Sequence, residues 1–185
     1  MVRLHRTPQT HKGRKVRQGM SLDSAVEWSG TNSRAAHAFR KGSAPLTIGF
    51  GGLLAGTLDL LQASILFGWK VPLVIAAGLL GPSVLKTGGA GTFILGVVLH
   101  YFIACSATAI YYGASRKLTF MVEYPLVCGL FFGMAVEIVM SYIVLPLSAL
   151  QARGPHDLHD ILLGLGVHMV VVGLPIAYSV RRFGR

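Results

Sequence analysis

Tyr124-Pro-Leu-Val-Cys-Gly-Leu-Phe-Phe-Gly-Met-Ala-Val-Glu-Ile-Val-Met-Ser-Tyr-Ile-Val-Leu-Pro-Leu-Ser-Ala149 holds one charged side chain, Glu137, in an otherwise apolar run. About 20 apolar residues suffice for a helix to cross the hydrocarbon core of a bilayer. In hydrocarbon every backbone N–H and C=O must be bonded within the segment, which leaves helices and closed barrels. The alternating pattern of a barrel strand is absent. The run therefore predicts a spanning helix over 124–149. Three more stretches have the same character, over 46–68, 90–113 and 158–180. Composition agrees: 52% of the 185 residues are apolar and 13% charged, against about 25% charged in soluble domains. The expected fold is an all-α integral membrane four-helix bundle over 46–185.

A fifth apolar run, 71–85, is too short to span and contains Pro72, Gly78, Gly81 and Pro82. It reads as an interfacial or re-entrant segment after the first span. Lys and Arg set the orientation, because cytoplasmic loops carry more of them. Four spans with both ends inside place 14 of the 17 basic residues on the inner side. Lys70, Lys86 and Arg153 remain outside. Residues 1–45, with nine Lys and Arg and no apolar periodicity, read as a disordered cytoplasmic arm. The arm is suited to anionic lipid, and the native start is Met1 or Met20. No secretory signal is expected, since the first apolar run begins near Leu46. The net charge of +10 does not argue for nucleic acid, because the basic residues form no stripe interleaved with aromatics.

Each span holds one titratable residue near its middle: Asp59, His100, Glu137 and His168. At about 1.5 Å per residue, all four lie within roughly 3 Å of the midplane. A carboxylate at that depth costs on the order of 3 kcal/mol on insertion scales, so the four are expected to face one another inside the bundle. Gly52 and Gly56 share a helical face ahead of Asp59. Gly96 stands four residues before His100, Gly129 and Gly133 lead at steps of four to Glu137, and Gly164 stands four before His168. Residues four apart stack on one face, and small residues there let helices approach closely. The order acid, His, acid, His suggests a duplicated hairpin whose halves run in the same direction.

Leu99-His100-Tyr101 opening a run that ends in Ile110-Tyr111-Tyr112, Gly129 to Gly133 followed by Ile143-Val-Leu-Pro-Leu147, and His168 ahead of Arg181-Arg182 resemble the YagU-like family of small bacterial inner-membrane proteins. The resemblance covers about half the chain. It implies four spans and an inner (plasma) membrane location, and says little about chemistry.

Several roles suit the four residues. Interhelical polar glue would make the chain a scaffold or assembly subunit. A proton or ion pathway would use Asp59, His100, Glu137 and His168, extended outward by Gln62 and Ser141. The same four also form a candidate set for Zn, Mn or Fe, and His100 with His168 could hold haem. In the outer loop, His156 and His159 stand at metal-ligand spacing, while Asp157 or Asp160 would cap the fourth helix. No P-loop, zincin helix or nucleophile elbow is present, so no enzymatic activity is expected. The lipid bilayer is the main partner, and a homo-oligomer is compatible with so small a bundle.

Overall fold

The computed structural model describes residues 43–152, 154 and 157–184. The regular structure among them is helical: α1 (Ala44–Phe67), α2 (Val71–Leu80), α3 (Val84–Thr87), α4 (Ala90–Ser115), α5 (Phe120–Glu123), α6 (Pro125–Leu147) and α7 (Leu158–Phe183). The helices α1, α4, α6 and α7 are each long and apolar enough to cross a membrane. The four-helix membrane bundle expected from the apolar runs is thus the architecture found.

Most of the arm expected over 1–45, together with the choice between Met1 and Met20 and any lipid contact it makes, lies outside the described residues. Its last two positions, Ala44 and Pro45, belong instead to the first turn of α1. Proline suits that position, where its missing N–H would have had no partner anyway.

The four long helices do not close into a symmetric square. α1 packs against α4 on one side and α7 on the other, and α7 packs against α6. The lateral order is α4–α1–α7–α6, with a cleft between the two outermost helices. One end of the cleft is shut by the rings of Tyr111 and Phe132, which meet edge to face at 5.0 Å. Tyr111 is fully buried, and its hydroxyl donates to the Met121 carbonyl at 3.1 Å. At the other end lies α2, whose Gly78 carbonyl accepts the Ala149 N–H at 2.8 Å just past α6.

Both described ends of the chain gather at the Tyr111 end. Phe50 and Phe183 stack edge to face at 4.9 Å, and Arg116 donates to the Gly184 carbonyl at 3.2 Å. This is the geometry of an even number of crossings.

Two glycines make the sharp exits around α2. Gly68 (φ 86°) ends α1 and Gly81 (φ 94°) ends α2, each donating its N–H four residues back, to Ser64 and Ala77. A side chain would strain either backbone. The ten residues of α2 are too few to cross a bilayer. Instead α2 is wedged against α4, where Pro72 sits over Gly96 with no room for a Cβ between them.

Both later spans contain a widened, π-helical turn, Met140–Val144 in α6 and His168–Gly173 in α7. Each ends two residues before a proline, Pro146 or Pro175. A proline within a helix lacks the N–H for the regular bond, and its ring crowds the carbonyl four residues back. Widening the preceding turn relieves that crowding. Such turns recur at functional sites.

Much of the outer surface is apolar: Phe102 is 69% exposed and Ile110 66%. The buried core is small, centred on Tyr111, Ile176 and Val180. Surfaces of this kind are unusual on soluble monomers and are what hydrocarbon solvates.

Candidate functional site

Asp59 of α1, His100 of α4, Glu137 of α6 and His168 of α7 all line one cavity of about 550 Å³. That volume lies within the usual range of about 300–1,000 Å³ for small-molecule sites. Ala107 and Val136 line its lower end, one helical turn from the Tyr111–Phe132 contact. Val74, Ile75, Gly78 and Leu79 of α2 line it from the opposite end. The cavity is therefore the cleft between α4 and α6, floored by two aromatic rings and roofed by a short helix.

The four polar residues form two acid–imidazole pairs. His168 Nδ1 lies 2.9 Å from Glu137 Oε2 and 3.1 Å from the Gly164 carbonyl oxygen. Both neighbours are acceptors, so Nδ1 carries a hydrogen and shares it between them. The Ser141 hydroxyl donates to Glu137 Oε1 at 2.6 Å, which gives each carboxylate oxygen a donor. Gly164 makes the arrangement possible, since a Cβ there would sit 2.7 Å from Glu137 Oε1.

The second pair is built differently. His100 Nε2 donates to the Gly56 carbonyl across the α1–α4 seam at 2.8 Å. The Asp59 carboxylate lies 3.8 Å from the same nitrogen, beyond hydrogen-bond reach. Among the described residues none donates a hydrogen bond to Asp59. In both imidazoles the hydrogen-bearing nitrogen is committed, and the other ring nitrogen is the one that can take up a further proton.

The glycines expected at helix contacts are at contacts, with two different from expectation. Gly52 faces Cys105, Gly56 faces Tyr101 and Ala104, Gly129 faces Gly173 and Ala177, and Gly133 faces the backbone of His168 and Met169. Gly96, however, receives Pro72 of the short α2 rather than a spanning helix. Gly164 makes room for a carboxylate rather than for a backbone. Gly51 against Thr108 and Ser179, and Gly173 against Gly129, are further contacts of this kind that the four-residue steps did not single out.

Ser141 lines the cavity as expected, but Gln62 does not. The reason is angular. Ser141 follows Glu137 by four residues and keeps its face, as Ala63 does after Asp59, whereas Gln62 follows Asp59 by three and is turned off it by about 60°. The residues missed altogether are those of α2 and the Tyr111–Phe132 pair. The Pro72 and Gly78 positions hinted that the short run is folded into the bundle. Nothing in the sequence marked Tyr111 as touching Phe132.

No three His, Cys, Asp or Glu among the described residues come close enough to hold one metal ion. The structure pairs the four proposed ligands two by two instead of converging them on a point. A haem held by both imidazoles would have to reach His100 through Nδ1, because Nε2 is held by Gly56. Of the two histidines expected in the outer loop, His156 is outside the described residues, and His159 belongs instead to the first turn of α7, its Nδ1 3.2 Å from Asp160 Oδ1 on an exposed surface. Asp157 stands at the N-cap of α7 without a side-chain capping bond, so the expected cap is not made by its carboxylate.

No family model, no curated protein and no solved structure matches this chain.

Proposed function

We propose that this multi-pass protein handles protons in the inner (plasma) membrane of the cell, using its two partly buried acid–imidazole pairs as the loading sites. One observation carries the reading: four titratable side chains, one from near the middle of each spanning helix, line a single cavity. Residues of this kind are expensive in a membrane and mark proton and ion routes. Here they are arranged so that each imidazole keeps one ring nitrogen for a mobile proton. Ser141 extends the polar surface one turn toward α2.

The Lys and Arg distribution orients the proposal, with the Tyr111–Phe132 floor toward the cytoplasm and the α2 roof outward. The resemblance to the YagU-like family agrees with an inner-membrane setting. The basic composition of residues 1–45 suits the anionic cytoplasmic leaflet.

The test is proton flux into proteoliposomes, read with a trapped pH-sensitive dye after an external acid step. Glu137→Gln and Asp59→Asn should each reduce flux to that of empty liposomes. Flux unchanged by both substitutions would remove the proposal.

A second reading has its own support. Glu137 is fully provided with donors, by Ser141 and His168, and fits against Gly164. Those features suit interhelical polar glue in a scaffold or assembly subunit. In that case Glu137→Gln lowers thermal stability in detergent, and no flux exists to be lost.

A further inference from the structure

We infer that the cavity is a binding site for an organic cation with an apolar body, such as a lipophilic amine or phosphonium, and that the cation competes with protons for Asp59. This rests on the reading of the cavity as a proton-loading site and names the substrate that would exchange there.

The argument begins with size. A route for protons alone needs a file of polar groups, not an open volume of about 550 Å³. Most of the wall is hydrocarbon, including Leu99 and Ile103 of α4, Met140 and Val144 of α6, and Ile75 of α2. Apolar walls with a few placed polar groups are the usual design for holding an organic molecule.

Charge then selects the class. The titratable groups facing the cavity are Asp59 from α1, His100 from α4, Glu137 from α6 and His168 from α7; α2 contributes none. Among the described residues no Lys or Arg lines it. An anion would meet two carboxyl groups and, from those residues, no fixed positive charge, so the described lining disfavours anions.

The contrast between the pairs selects the anchor. Both oxygens of Glu137 are already occupied by donors within the protein. Asp59 accepts no hydrogen bond among the described residues, and its side chain is 18% exposed, with the cavity beside it. A partly buried carboxylate with no donor among the described residues is the partner that an arriving cation satisfies. A proton binds the same carboxylate, and two ligands that share it must each weaken the other's binding.

The test is equilibrium binding to the full-length protein in nanodiscs, with empty nanodiscs as the blank. Tetraphenylphosphonium is compared with tetraphenylborate, which has similar size and opposite charge. Saturable binding of the phosphonium alone, weakening as the pH is lowered, is the expected result. Asp59→Asn should weaken it by about tenfold or more, the loss of one charge pair, while Asp59→Glu retains it. Ile103→Trp, which fills part of the cavity from its apolar wall, should abolish it. Equal binding of both ions, or phosphonium binding unchanged in Asp59→Asn, overturns the inference. Proton flux without the probe, on the same preparation, separates the two proposals. Flux present with no phosphonium binding removes the cation site alone. Phosphonium binding that is saturable and pH-dependent, with no flux, upholds the cation site and removes the flux reading.

Discussion

The two hairpins of this bundle each bring one acid and one histidine to the cavity, yet they bond them differently. In the α6–α7 hairpin the helices meet nearly backbone to backbone, with Gly133 against His168 and Gly173 against Gly129. Its histidine bonds within its own helix and to the acid, and the acid is saturated. In the α1–α4 hairpin the glycines face side chains, Cys105 and Tyr101, as well as backbone. Its histidine reaches across the seam to a carbonyl and leaves the acid 3.8 Å away. The lesson is that residue type and position in the span do not determine the contacts a carboxylate makes: Glu137 has a donor on each oxygen, and Asp59 has none among the described residues.

The strongest way to break this contrast is through the tight seam. Gly133→Leu should destabilise the protein by about 3 kcal/mol, as expected for overpacking that backbone cannot relieve; a lowered unfolding temperature in detergent checks it. An unchanged temperature would mean that the close approach of α6 and α7 is wrong. Next, Glu137→Ala should lower stability by about 1.5 kcal/mol, near the upper end of measured interhelical hydrogen bonds in membranes, because Ser141 and His168 lose a shared partner. Denaturant titration in detergent measures the difference. Ser141→Ala removes one of those bonds and should cost about 0.6 kcal/mol by the same assay. Smallest of all, Asp59→Asn should shift stability by less than about 0.5 kcal/mol, since no hydrogen bond is lost. A large destabilisation there would place Asp59 among the structural residues and erase the distinction between the hairpins.

The four crossings were plain in the sequence because hydrocarbon imposes a length, and every long apolar run met it to within a few residues. The depth of Asp59, His100, Glu137 and His168 was legible for a related reason: a titratable group is conspicuous where nothing else is polar. Their pairing was not. Which acid meets which histidine depends on how each helix is rotated, and the sequence carries only relative angles along one helix. Gln62 shows the limit: it follows Asp59 by about one turn, and the structure leaves it off the cavity. The widened turns shift that rotation again within α6 and α7. Pro146 and Pro175 were visible signs of them, because a proline inside a span must be accommodated somewhere. The role of α2 was hardest to see. Ten apolar residues could lie on a membrane surface or fold inward, and the deciding contact, Pro72 on Gly96, joins segments with no local pattern in common.

The rings of Tyr111 and Phe132 carry a consequence for speed. They close one end of the chamber, so on the proposed transport reading passage through that end requires α4 and α6 to part at this latch, and a collective helix movement of that sort takes about microseconds to milliseconds. On that reading traffic across the bilayer is counted in single turnovers, as in a revolving door, and never as the steady current of an open pore.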